Sequence, residues 1–425
     1  MATRGDAVAA AESAARAMER CALLALITDK PGEILRTFLS PAMEEVHGAV
    51  RPWMEAAGME VRVDRAGNLR AAYPPNARPA TPRLLIGSHL DTVPNAGAYD
   101  GVLGVLMGLA LVEALAGSAL PFTIEVVGFS DEEGTRFGAP FLGSRALVGE
   151  LCGAVLESRD ANSITVAEAL RAFRDRRPGL EDATLSPATA AYLEFHIEQG
   201  PILEAKHLAL GIVEALAGQS RSTVTFRGRA GHSGTTPMRL RHDALAAAAE
   251  WIARVEKIAN QFENLVATVG QIEAQPGAVN VIPGCARCSL DVRHADDAVR
   301  DTAVEAIFAE AQTIAERRGV AVDSEQYNVQ PAVRMDAEMV RLAERAAAQA
   351  GYPALRMTSG AGHDAMVIAR HVPSAMIFLR NPGGISHHPD ESVAEADVAA
   401  ALHAGLCFLQ ELAAWLKEKE RAPVA

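Results

Sequence analysis

The sequence predicts an α/β protein whose main domain is interrupted by a smaller α+β domain. Three observations carry that reading. Residues 84–87, 123–129, 191–195 and 375–379 are short, largely apolar runs, the pattern of strands in a sheet covered on both faces. Between the third and fourth runs, residues 222–227 instead alternate polar and apolar side chains, as a half-exposed strand does. With 425 residues the chain can bury more than one core.

Taken in order, residues 10–60 read as helices. Within them Ser40-Pro41-Ala42 sets a capping hydroxyl before a proline at the first helical position. Residues 60–64 and 70–73 read as strands paired around the turn Ala66-Gly67-Asn68. From Arg83 onward strand, loop and helix alternate. The most apolar stretch, 101–112, is too short to cross a bilayer and reads as a buried helix. In the middle, 222–227, 265–272, 286–292 and 320–323 read as strands, with helices at 242–258 and 296–318. The second helix sets Val304, Ile307, Phe308, Ala311 and Ile314 on one face. The order β-α-β-β-α-β is that of a split-βαβ, ferredoxin-like domain. The expected division is a discontinuous main domain at 1–212 and 328–425 around an insert at 213–327. No internal repeat stands out.

Composition narrows the partners. Lys and Arg total 40 against 53 Asp and Glu, a formal charge of −13. Nucleic acid and anionic membrane surfaces call for basic patches, so neither is expected as a partner, and any anionic substrate must be met by a few placed arginines. Cys21, Cys152, Cys285, Cys288 and Cys407 make an odd set without regular spacing, which fits a reducing cytoplasm rather than a disulfide framework. The lone pair Cys285 and Cys288 reads as two thiols near a strand start, since a structural zinc site needs more ligands. Asp6, Glu12 and Glu19 precede the apolar run 22–27, so the amino-terminal segment reads as a helix rather than a secretory signal.

Five segments carry metal-type side chains: Ser88-His89-Leu90-Asp91-Thr92, Tyr99-Asp100-Gly101, Ser130-Asp131-Glu132-Glu133-Gly134, Glu194-Phe195-His196-Ile197-Glu198-Gln199-Gly200 and Gly384-Ile385-Ser386-His387-His388-Pro389. Most follow an apolar strand-like run, and parallel sheets place ligands at the carboxyl ends of their strands. Residues two apart in an extended segment face the same way, so His89 and Asp91 point together and Asp91 can orient the imidazole. Adjacent Glu132 and Glu133 can divide the work, one binding metal and the other moving a proton.

These segments, together with Gly231-His232-Ser233-Gly234-Thr235-Thr236-Pro237, Asn280-Val281-Ile282-Pro283-Gly284 and Ser359-Gly360-Ala361-Gly362-His363-Asp364-Ala365, resemble in order the aminoacylase-type co-catalytic zinc hydrolases. More narrowly they resemble the amidase, hydantoinase/carbamoylase branch. The resemblance covers nearly the whole chain. It implies a zinc-exopeptidase-like catalytic domain with a mixed sheet, and an inserted domain serving as lid and dimerisation surface. It implies His89, Asp100 and His196 on one metal and Asp100, Glu133 and His387 on the other, with Asp100 bridging. His388 is chemically equivalent to its neighbour; the resemblance selects His387. Glu132 becomes the general base and Asp91 the partner of His89. The cofactors implied are two divalent ions, zinc first, with manganese or cobalt as alternatives.

His232 lies in a turn where it could donate to an oxyanion. Asn280 offers an amide, and Arg293 a planar fork for a carboxylate. The resemblance makes these three substrate-binding, adds Gln199, Gly360 and His363, and leaves open which subunit of a homodimer His232 and Asn280 serve. His47, His207, His242, His294, His371 and His403 read as surface or structural residues. The activity implied is hydrolysis of a small-molecule ureido carboxylate: allantoate first, N-carbamoyl-L-amino acids or β-ureidopropionate next, a dipeptide third. A non-catalytic binder would have lost a ligand or Glu132, and this chain has lost neither.

Overall fold

The computed structural model describes residues 4–75, 78–177 and 179–421. It contains two compact units, Met1–Glu214 with Met335–Ala425, and Ala215–Arg334. Strands are numbered β1–β16 along the chain, and helices of ten residues or more α1–α8.

The first unit is built on a mixed sheet. Its strands are β1 (Glu60–Val63), β2 (Leu69–Tyr73), β3 (Arg83–His89), β4 (Thr123–Phe129), β5 (Thr189–Ile197), β6 (Leu210–Leu216), β15 (Ala354–Ser359) and β16 (Ser374–Leu379). The order is β1-β2-β4-β3-β5-β16-β6, with β15 also on β6 and β14 (Val333–Arg334) on the end of β6. The centre, β4-β3-β5-β16, is parallel; β2 and β6 run antiparallel to it, and β1 pairs antiparallel with β2. A parallel centre buried on both faces explains the uninterrupted apolar runs: every residue of β4 and of β16 is buried.

Helices α1 (Arg4–Leu24), α2 (Pro41–Ala56), α3 (Val102–Leu115), α4 (Val166–Arg176), α7 (Ala337–Gln349) and α8 (Glu395–Arg421) belong to this unit. Helix α2 starts as its sequence suggests, with Ser40 accepting the Met43 amide and Pro41 at the first position. Helix α3 is buried without a break from Val102 to Val112 and packs on β3, β4 and β5. Close approach is possible because Gly104 lies against the Phe195 carbonyl and the Ser88 side chain. Within α8, Glu395–Lys419 is long and apolar enough to cross a membrane by length and composition. The sequence reading did not single it out. Most of that stretch is buried, and it packs against α1, α7 and α3, the pattern of a core helix.

In the second unit β7 (Gly218–Arg227) is central, flanked by β12 (Cys285–His294) and β13 (Ala321–Gln330). Helices α5 (Ala244–Ala259) and α6 (Asp297–Arg318) close its core around Trp251, Phe226 and Ile307. Phe308, expected on the buried face of α6, packs only partly buried against that cluster. β8 (Gly231–His232) and β11 (Val281–Ile282) form a separate two-stranded ribbon.

Two strand expectations need correction. The run 265–272 is not one strand but two, β9 (Val266–Thr268) and β10 (Ile272–Gln275), which pair with opposite ends of β12. Ser289 spans the break: its hydroxyl accepts the Gln271 amide, and its own amide donates to the Gln271 carbonyl. The short strand expected at 320–323 extends to Gln330. As an edge strand with mostly exposed polar residues, it gains its order from pairing with β7 and carries no apolar signal. The elements β6, β15, α7 and α8 were not separately assigned from sequence.

Two glycines give opposite expectations. A larger residue at Gly104 overpacks the α3–sheet contact, so Gly104→Val lowers unfolding free energy by about 1–3 kcal/mol. Gly48, inside α2 with open space where a Cβ would stand, gains about 0.5–1 kcal/mol as alanine. Thermal melts of both variants check the signs.

Candidate metal centre

The carboxyl ends of the parallel strands bring the predicted side chains of the first unit together. His89 is the last residue of β3 and His196 the penultimate residue of β5, while Asp131–Glu133 follow β4 directly. Asp100 sits at the entry to α3, whose amino-terminal dipole favours a carboxylate there. Gly101 has φ +68°, and a Cβ there would collide with the His89 ring, so only glycine lets the loop pass over the imidazole.

The two buried histidines present the same ring atom inward. His89 donates from Nδ1 to the Asp91 carbonyl at 3.0 Å, and His196 from Nδ1 to the Ile197 carbonyl at 2.9 Å. A carbonyl can only accept, so Nε2 of each ring is left for a second partner. That partner is Asp100: Oδ1 lies 3.6 Å from His89 Nε2 and 3.2 Å from His196 Nε2. Neither Asp100 Oδ1 nor His196 Nε2 has an aligned hydrogen-bond partner, although both are buried. Donor atoms that converge without bonding one another suit a cation between them. On the other side of the same carboxylate, Oδ2 lies 3.2 Å from His387 Nε2, which is 3.3 Å from Glu133 Oε1. His89, Asp100 and His196 thus form one group able to hold a metal, and Asp100, Glu133 and His387 a second that shares Asp100. A third grouping, His89 with Glu132 and Glu133, places Glu132 beside both. His388 turns away, its Nδ1 3.5 Å from exposed Asp390.

Asp91 works differently from the sequence expectation. Its carbonyl, not its carboxylate, accepts the hydrogen bond from His89 Nδ1; carboxylate Oδ1 stands 3.5 Å from Nδ1. The carboxylate accepts the amides of Glu132 at 2.9 Å and Glu133 at 3.1 Å. One residue therefore sets both the histidine tautomer and the backbone of the two glutamates. Beneath it lies Arg36, 1% exposed, which donates to the Leu90 carbonyl and to those of Leu24 and Ile27. Burial lowers its pKa to about 10 and the Asp91 charge opposes that, so it remains a cation under the site.

Four further buried acids stand here: Asp131, Glu194 and Asp364, which lie within the quoted segments but have no role assigned from sequence, and Glu391, which lies just past the last of them. Burial, then neighbouring negative charge, pushes Glu132, Asp131 and Asp364 well above ordinary carboxylate values. Hydrogen bonds to Asp100 and Glu133 raise His387 to about 10. Those four groups are shifted toward holding protons, whereas Asp100, despite its burial, is held well below the usual carboxylate range by His196, His387 and His89, and burial keeps His363 well below the usual histidine range.

Of the other candidates in this unit, Gln199 donates from Nε2 to Asp100 Oδ2 at 3.1 Å and to Ser386 at 3.0 Å. His363 is buried with its ring 4.4 Å from that of His196, and Nε2 meets Ser359 Oγ at 2.9 Å. Gly360 is exposed, with open space where a Cβ would stand.

His232, Asn280 and Arg293 lie in the second unit. His232 pairs with Val281 in the β8–β11 ribbon, and the Asn280 carbonyl accepts the Ser233 amide, so the two residues are close neighbours. The Gly234 amide donates to His232 Nδ1, which leaves Nε2 as the N–H donor of the neutral ring. Arg293 grips Asp291 of its own strand through two nitrogens, each at 3.0 Å.

A family model for peptidase family M20/M25/M40 matches residues 85–411. The chain belongs to that family. Among curated relatives, allantoate deiminase 1 of Glycine max is 37% identical, over 93% of this chain and 89% of that protein. The N-carbamoyl-L-amino acid amidohydrolase of Geobacillus stearothermophilus is 40% identical, over 87% and 90%. Among solved structures, an amidase of the hydantoinase/carbamoylase family from Burkholderia multivorans superposes with a TM-score of 0.87 at 32% identity, covering 94% of this chain and 97% of that one.

The residues present fit a pair of divalent ions, and the fit has a proton signature. Metal binding needs the His387 ring neutral, yet without metal it stays protonated up to about pH 10. Binding therefore releases protons, and apparent affinity rises by up to about tenfold per pH unit for each proton displaced between pH 7 and 9. Calorimetry of zinc binding in buffers of different ionisation enthalpy checks this. Heats independent of buffer would contradict it.

Proposed function

We propose that this chain hydrolyses the carbamoyl C–N bond of a small ureido carboxylate. Allantoate is the first-choice substrate, and N-carbamoyl-L-amino acids or β-ureidopropionate are the alternatives. The observation that carries the reading is the pair of metal-type groups sharing Asp100, with Glu132 buried beside them. Near-full-length relatives named for these amide substrates support the choice of bond.

His89, Asp100 and His196 would hold one metal, the inner position, and Asp100, Glu133 and His387 the other, the outer position. When bound, two divalent ions polarise the scissile carbonyl and acidify water. Zinc is the first choice; manganese and cobalt accept the same donors. Glu132 takes a proton from the attacking water and delivers it to the leaving nitrogen as the C–N bond breaks; the substrate departs as its amine, and the carbamic acid formed falls apart to ammonia and carbon dioxide. The burial of Glu132 beside both groups, outside the two proposed ligand sets, suits it to act as a base rather than a spectator. Asp91 fixes its backbone. His232, with Nε2 as donor, steadies the oxyanion, and Asn280 recognises the ureido group. Arg293 recognises the carboxylate by exchanging Asp291 for it. Gln199, Gly360 and His363 complete the substrate-binding set.

The second unit is read as a ferredoxin-like lid and dimerisation domain of a cytoplasmic homodimer. The sheet order β10-β12-β7-β13, with two helices in its core, supports the ferredoxin-like part. The peptidase reading predicts that dipeptides are the better substrates.

Steady-state kinetics on allantoate, N-carbamoyl-L-amino acids, β-ureidopropionate and dipeptides test the reading, and turnover of dipeptides alone would reject it. Glu132→Gln is expected to keep its metals while kcat falls at least about 10³-fold; near-normal turnover removes Glu132 as base. Arg293→Lys keeps the charge but loses the fork, so KM rises about 10–100-fold with kcat much less affected.

A further inference from the structure

We propose that Glu391 is a positioning residue that ties the Asp100 loop to the His387 loop and thereby sets the affinity of the outer metal position. The inference rests on the metal reading above.

Glu391 is 5% exposed, and both its oxygens face inward. Oε1 accepts two consecutive amides, Tyr99 at 2.8 Å and Asp100 at 3.0 Å, across 292 and 291 residues of sequence. Oε2 lies 3.3 Å from the Ser386 hydroxyl, directly before His387. That hydroxyl is also 3.0 Å from Asp100 Oδ2 and accepts from Gln199. The Glu391 amide closes a turn on the His388 carbonyl. Space for the carboxylate is provided by Gly97, where a Cβ would collide with it.

Asp100 is thus held at both ends. Glu391 fixes its backbone amide, and Ser386 and Gln199 fix Oδ2, so Oδ1 is left to face the two histidines. Among the described residues Glu391 joins none of the groups able to hold a metal, and its oxygens are spent on amides and a hydroxyl. Its effect on metal therefore passes through the loops. The inner position draws two of three ligands from β3 and β5, whose parallel register holds them independently. The outer position draws Asp100 and His387 from the two loops that Glu391 joins. Loosening this tie weakens the outer position first.

The test is metal content and chelator resistance of the full-length, zinc-reconstituted protein, wild type against three variants. Glu391→Ala is expected to lose outer-metal affinity about 10–100-fold and to retain close to one ion per chain after mild chelation, where the wild type retains two. Gly97→Ala, which keeps Glu391 but displaces it, should behave the same way and carries the test if Glu391→Ala fails to fold. Glu391→Gln, able to accept both amides and reach Ser386, should keep most of the second ion. Two ions and wild-type chelator resistance in both Glu391→Ala and Gly97→Ala, whatever their melting temperatures, would overturn this inference alone. So would simultaneous loss of both ions. A wild-type chain that never takes up two ions would overturn the metal reading itself.

Discussion

Negative charge held away from water is the condition on which this molecule's architecture turns. Asp91, Asp100, Asp131, Glu132, Glu194 and Asp364 are all at most 7% exposed and share one end of one sheet. An uncompensated buried carboxylate is costly, so such a cluster survives only if something positive joins it or protons do. Arg36 supplies one fixed cation, and amides on Asp91 spread some of the charge. The remaining excess falls on histidines and carboxyls that take up protons. At His387, which belongs to a group able to hold a metal, a divalent ion would supply the same compensation.

The sheet makes that concentration of charge possible. Parallel strands deliver their carboxyl ends to one side, and the register aligns His89 with Phe129 and His196 with Phe378. Side chains far apart in sequence therefore reach a common point with short connecting loops. The buried helix α3 brings Asp100 to the same point, and two glycines, one over the His89 ring and one against β5, let it approach closely enough.

Much of the centre was legible because metal ligands keep a chemical identity that pattern alone can carry: a histidine or carboxylate right after an apolar run. The pairing of His387 rather than His388 came from the resemblance, and the local cause is that His388 turns to Asp390. What the sequence hid are residues whose work is done through backbone groups. Asp91 reads as a side chain that orients a histidine, but its carboxylate serves two amides. Glu391 and Arg36 bond mainly to main-chain atoms, which have no sequence signature. The same blindness explains the strands: β13 is ordered by its neighbour, and the break between β9 and β10 depends on a serine on β12. The core of the second unit, by contrast, was readable from the periodicity of α6, because burial and apolarity coincide there.

Arg36 carries a consequence for where the working molecule starts. The family match begins at residue 85, yet the guanidinium under the His89–Asp91 segment is satisfied by carbonyls from the last turn of α1 and the loop after it. A chain trimmed to its matched core would lose those acceptors along with the guanidinium, and the loop bearing the first histidine would lose its floor. Helix α1, which supplies none of the described metal-type groups, is thereby part of the foundation of the site.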